Sequence, residues 1–183
     1  MNYSLTPRVS IFLLLSIALA FVSCKKEEDK KSTSSGDNPP SAPTENRLSC
    51  NVDGMTYVFD QDFTAIYTEL GGNKSLILNG KTANGEELTA SINLWTGSTG
   101  DFQMETVQMS NYASITWINT SSESWSCPNS INGDNSNLVS GDFSIDYYDV
   151  EKVSGSFSGT IASSNTATTF PVTDGVFSAI TIN

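Results

Sequence analysis

After residue 46 the apolar residues fall at every second position, in run after run. Leu48, Cys50 and Val52 alternate with Ser49 and Asn51, and Met55, Tyr57 and Phe59 follow beyond Asp53-Gly54. Alternation marks a strand with one face in a core and one in water, because successive β side chains point to opposite sides. Asp-Gly between two such runs predicts a hairpin, since a type I′ turn needs positive φ at both positions. The pattern recurs at Leu76 and Leu78 before Asn79-Gly80, at Leu88, Ala90, Ile92 and Leu94, and at Phe102 and Met104 after the break Gly97-Ser98-Thr99-Gly100. Ala113, Ile115 and Trp117 continue it, then Phe143, Ile145 and Tyr147, then Val153, Gly155, Phe157, Gly159 and Ile161, with Val176, Ile180 and Ile182 closing the chain. No segment shows the period of a helix. About ten short strands with turn residues between them predict a single all-β domain over residues 47–183. We expect an antiparallel β-sandwich, with a closed or lipocalin-like β-barrel as the alternative.

Gly-x-Phe-Ser occurs three times, at Gly141 to Ser144, Gly155 to Ser158 and Gly175 to Ser178. The spacings differ, so this is no repeat array. Each copy predicts a close backbone approach at the glycine and a phenylalanine in the core.

The N-terminal pattern is different. Arg8 precedes an apolar run over residues 11–20, of signal-peptide length and too short for a comfortable membrane span. Ala18-Leu19-Ala20 fits an ordinary signal peptidase, which would release a soluble, secreted protein. Phe21-Val22-Ser23-Cys24 fits a lipobox, with residues 1–23 as the signal peptide and Cys24 as the lipidated first residue of the mature chain. We favour the lipobox, which gives Cys24 a use in an exported protein where a free exposed thiol is a hazard. Each buried acyl methylene contributes about 0.8 kcal/mol, so two or three chains anchor a protein durably. Residues 25–46 are Lys, Glu, Asp, Ser, Thr, Gly and Pro with almost nothing apolar. Such a stretch cannot offset its ordering entropy and is expected to be a disordered linker.

Lys25-Lys26-Glu27-Glu28-Asp29 directly after Cys24 resembles the surface-export signal of Bacteroidota lipoproteins. That resemblance implies a lipid-anchored protein on the outer face of the outer membrane, with a periplasm-facing position as the alternative. Further segments resemble a family of small Bacteroidota lipoproteins carrying a domain of unknown function. Asn51-Val52-Asp53-Gly54-Met55-Thr56-Tyr57 is similar to the hairpin that opens their domain, with Tyr57 where Trp is commoner. Val153 to Thr160 and Val172 to Phe177 are similar to two of their later strands. The resemblance implies an all-β, lipid-anchored domain and brings no activity or catalytic residues.

Charge and composition narrow the chemistry. From residue 47 on, four basic residues stand against fifteen acidic ones, a balance of −11 that repels a nucleic-acid backbone. The chain has no histidine, which removes His-dependent triads and His-containing zinc sites. Cys50 and Cys127 remain once Cys24 is lipidated. In an oxidising compartment they are expected to form a disulfide worth about 4–5 kcal/mol in the chain-entropy model, two separate thiols being the alternative. Asp60 with Asp62, Glu86 with Glu87, and Asp146 with Asp149 and Glu151 are carboxylate groups that read first as turn acids. Asn132, Asp134 and Ser136 offer oxygen ligands in one loop, so calcium is the one cofactor to consider. Trp125, Tyr148 and Tyr112, flanked by small polar residues, are the candidate ligand-binding aromatics. These features predict a non-catalytic β-domain that binds a glycan or protein. The alternatives are an accessory subunit of an outer-membrane assembly and, behind it, a glycan-active hydrolase using a carboxylate pair. Oligomeric state cannot be read from the sequence.

Overall fold

Alternation translates into strands wherever the apolar face finds a partner. In the computed structural model, residues 42–105, 112–131, 133–179 and 182 are described, all within the second of the two units into which the chain divides, at Asp37. The signal segment, Cys24, the linker up to residue 41, Asn132 and Ile180 lie outside the described residues. The described residues contain thirteen strands and no helix.

Eleven strands form one antiparallel sheet that curls over itself as two arms. The first arm holds β1 (Arg47–Val52), β2 (Met55–Val58), β6 (Gly100–Met104), β11 (Gly141–Tyr148), β12 (Val153–Ala162) and β13 (Thr169–Ala179), in the order β2-β1-β13-β12-β11-β6. The second holds β3 (Gln61–Leu70), β4 (Asn73–Lys81), β5 (Glu87–Trp95), β7 (Tyr112–Ile118) and β8 (Ser124–Cys127), in the order β8-β7-β5-β4-β3. β12 serves both: its first part pairs with β11, and its last residue, Ala162, pairs with Ser126 of β8. Two further strands, β9 (Asn129–Ile131) and β10 (Asp134–Val139), make a separate hairpin.

The apolar faces of the two arms meet in one core. Leu48, Val52, Phe143, Ile145, Phe157 and Phe177 of the first arm share it with Leu76, Leu78, Leu88, Ile92, Ile115 and Trp117 of the second. This is the all-β, sandwich-or-barrel class that the alternation predicts. The Asp53-Gly54 turn is as expected, with φ of 51° and 76°.

The Gly-x-Phe-Ser copies explain each other. β11, β12 and β13 are neighbours, and their register sets Phe157 opposite Gly175 and Gly155 opposite Phe177. A Cβ on Gly155 would run into the Phe177 ring, and one on Gly175 into the Phe157 ring. Each ring lies where the neighbouring strand has no side chain, and Phe143 stacks on Phe177 with centroids 5.1 Å apart.

Three expectations change. Asn79-Gly80 is not a turn but lies inside β4. Asn79 there accepts a hydrogen bond from Thr89 and donates one to Thr64, and a Cβ on Gly80 would sit 2.6 Å from the Phe59 carbonyl oxygen. The chain turns later, where Thr82 donates to the Glu86 carboxylate. The expected Cys50–Cys127 bridge is absent, and both thiols are free and buried. β13 and β12 stand between their strands, β1 and β8, in the order of the sheet. Finally, β9 and β10 form a hairpin where the sequence reads as an oxygen-rich loop.

Candidate ligand-binding groove

The same alternation that sends Gly and Phe inward sends the remaining positions of those motifs outward. On the outer face of the first arm, Asp101 of β6, Ser144 of β11, Ser156 of β12 and Val176 of β13 form one row of cross-strand partners. Gln103, Asp142 and Ser158 form the next. A register shift between β12 and β13 follows, and Asp174 stands beside it with φ of 52°. Together these residues line a groove of about 590 Å³.

Neutral donors orient its carboxylates. Gln103 Nε2 donates to Asp142 Oδ1 at 2.6 Å. Asn51 Nδ2 donates to Asp174 Oδ2 at 2.7 Å, and Thr173 Oγ1 donates to the same oxygen at 3.2 Å. Thr56 Oγ1 in turn donates to Asn51 Oδ1 at 2.7 Å, fixing which way that amide points. The lining therefore combines the hydroxyls of Ser156 and Ser158 with that of Ser144, which donates to Asp146 Oδ1 at 3.0 Å, and with carboxylates held for acceptance and no cation. Phe143 and Phe157 lie beneath as buried rings, so the groove offers polar contacts and no aromatic platform. Such a surface matches a hydroxyl-rich neutral ligand and repels phosphate or sulfate.

The residues singled out from the sequence lie elsewhere and apart. Trp125 is buried with Trp117 and Phe170 at the end where the β7–β8 hairpin turns. In Ser124-Trp125-Ser126-Cys127 the period of two already puts Trp125 on the Cys127 face, and Cys127 is in the core. Tyr148 sits at the far end of β11, edge-on to Trp95 at 4.4 Å and beneath Lys74, whose ammonium is 5.9 Å from its ring. Burial, with Tyr67 alongside, pushes the Tyr148 phenol up to about 12. Tyr112 opens β7 opposite Asn93 and is half-buried.

In β10, Asp134 Oδ1 accepts from the Ser136 amide at 2.9 Å and hydroxyl at 2.7 Å, and Oδ2 accepts from Asn137 at 3.0 Å. These bonds, from the Ser136 amide first, hold the Asp134 carboxyl below its ordinary value. Among the described residues no three His, Cys, Asp or Glu side chains are placed to hold a metal. Asp149 is a turn acid: it accepts from the Tyr147 hydroxyl and from the amides of Glu151 and Lys152, which lowers its pKa.

The sequence reading passed over the groove. Its signal was the polar half of Gly-x-Phe-Ser, but nothing in one chain's pattern says that β6 joins those three strands. Compared with known proteins, the chain matches no family model, no curated protein and no solved structure.

Proposed function

We propose that this protein is a lipoprotein, anchored through Cys24 to the outer membrane and displayed at the cell surface, whose β-domain binds glycan without transforming it. The observation that carries the binding reading is the groove: hydroxyls of Ser144, Ser156 and Ser158 beside the oriented carboxylates of Asp142 and Asp174. Sugars present paired hydroxyls that such donors and acceptors can take directly. A glycan array probed with the purified protein, with and without chelator, should show saturable binding to at least one neutral glycan in both conditions. Asp142→Ala should weaken it about tenfold, the cost of one hydrogen bond to a charged acceptor. No binding in either condition would remove the glycan reading. For the anchor, Cys24→Ser should abolish incorporation of a labelled fatty acid, and undiminished labelling would refute it.

A second reading, an accessory subunit in an outer-membrane assembly, is favoured by the edge strand β2. Met55 and Val58 are 59 % and 52 % exposed there, beside backbone groups that no strand among the described residues pairs on the outer side. Val58→Lys would then abolish co-purification of a partner and leave glycan binding intact.

A further inference from the structure

The groove is longer than it is wide, and strand pairing sets its long axis. Each of β6, β11, β12 and β13 lends it two outward side chains two residues apart, from Asp101 and Gln103 at one end to Asp174 and Val176 at the other. Along a strand it therefore covers one step between same-face residues, about 7 Å. Across the strands it covers three steps of about 4.8 Å, or about 14 Å in all. Its volume of about 590 Å³ is several times that of a single sugar ring.

The boundaries follow the same axis. Among the described strands β6 pairs only with β11, and Asp101 and Gln103 are exposed, so the groove opens past that edge. At the other end Val176 stands opposite Ser49 of β1. Alternation turns Ser49 outward, yet it is only 4 % exposed, and Arg47 Nε donates to its Oγ at 3.3 Å. The trough stops there. One flank is bounded as well: in the next row Ser178 Oγ donates to the Glu45 carbonyl oxygen at 2.6 Å, which holds residues 42–45 against that part of the sheet.

Such a shape selects among glycans. A sugar chain joined through equatorial bonds at positions 1 and 4 is an extended ribbon that advances, per ring, by close to one strand spacing. Its hydroxyls project from both edges, and the two rows of the groove stand one on each side. A 1,4-linked chain with axial anomeric bonds coils and cannot keep that step.

We propose that the groove holds a straight β-1,4-linked chain laid across the strands, about four rings long, one for each strand spacing it covers and its ends. This deepens the glycan reading, on which it rests, by adding linkage, orientation and length. Along one edge Asp101 and Ser144, whose own proton goes to Asp146, accept sugar hydroxyls. Along the other, Asp142 and Asp174 do the same, oriented by Gln103 and Asn51.

The test is calorimetric titration of the purified protein with methyl glycosides and two- to six-unit chains. The series are β-1,4-linked glucose, mannose, xylose and N-acetylglucosamine, with α-1,4-linked glucose of the same lengths beside them. In at least one β-1,4 series affinity should rise about two- to tenfold per added ring, the yield of one net hydrogen bond, and level off after about four rings. The α-linked series should show no such rise. Asp101→Ala on β6 and Ser156→Ala on β12 lie two strand steps apart, about 10 Å, and neither side chain is in the core. Each should weaken the four-unit chain about two- to tenfold, which a ligand gripped by one ring would not report from both places. A two-unit chain as tight as the four-unit one, an α-linked series that climbs equally, or full affinity in either variant would overturn the extended-chain ligand and leave the glycan reading standing. Silence of every series beside saturable binding elsewhere on a glycan array would do the same, whereas silence on both would remove the two readings together.

Discussion

Gly155 and Gly175 show how much one hydrogen atom in place of a methyl can decide. Each lets a phenylalanine of the neighbouring strand lie flat on the sheet, and each has backbone as well as ring in the way of a Cβ. Gly155→Ala and Gly175→Ala should therefore each destabilise the fold by at least about 1–3 kcal/mol, read as a lower denaturant midpoint. Cys50 and Cys127 make a second prediction at this scale. Burial raises both thiols from an ordinary 9.0 to about 12, Asp142 adding to the effect at Cys127. A native thiol that keeps its proton where the unfolded one has lost it makes stability fall as pH rises. The contribution is intact below pH 9.0 and is lost progressively toward about 12, so thermal melts across that window should decline. With Cys24 replaced by Ser, two thiols should react in the denatured, unreduced protein and none in the native one; no reactive thiol after denaturation would restore the bridge. Single residues were legible only in part. Alternation identified Leu48, Ile115 and Phe157 as core, yet polar neighbours disguised Trp125, and spacing gave no distance between the two cysteines.

Strands announce themselves when one face is dry. β1, β5, β7, β11 and β12 could be read directly, because buried apolar positions alternate with Ser, Thr and Asn. β3 could not. As an edge strand it exposes Ile66 and Leu70, and its buried face offers only Phe63, Ala65 and Tyr67. β9 and β10 pair with each other across a shifted register and contribute little to the core, so their Asn and Ser look like loop. What holds β3 and β4 to β11 is aromatic: Lys74 of β4 lies 6.0 Å from the Tyr67 ring and 5.9 Å from that of Tyr148. Lys74→Leu keeps the bulk and removes the charge, and should cost about 0.5–1 kcal/mol in equilibrium unfolding. No loss would mean that packing alone closes this end.

At the scale of the molecule, the surface charge is one-sided. Lys81 and Glu87 form an ion pair at 2.9 Å, both side chains exposed to water. Acidic residues outnumber basic ones fifteen to four from residue 47 on, so added salt should raise the melting temperature by screening self-repulsion. A melting temperature that fell with salt would show that specific pairs outweigh the net field. The class of fold was legible because it depends on periodicity alone, whereas the groove depends on which strands become neighbours, a property of long-range pairing. The arms share one ladder contact among the described strands, Ala162 with Ser126. A book bound by a single stitch keeps its shape through the friction of its pages. Warming should let the covers part along that spine while each leaf stays flat, so amide exchange at Ala162 and Ser126 should quicken well before the interior of β4, β5 or β12 gives way.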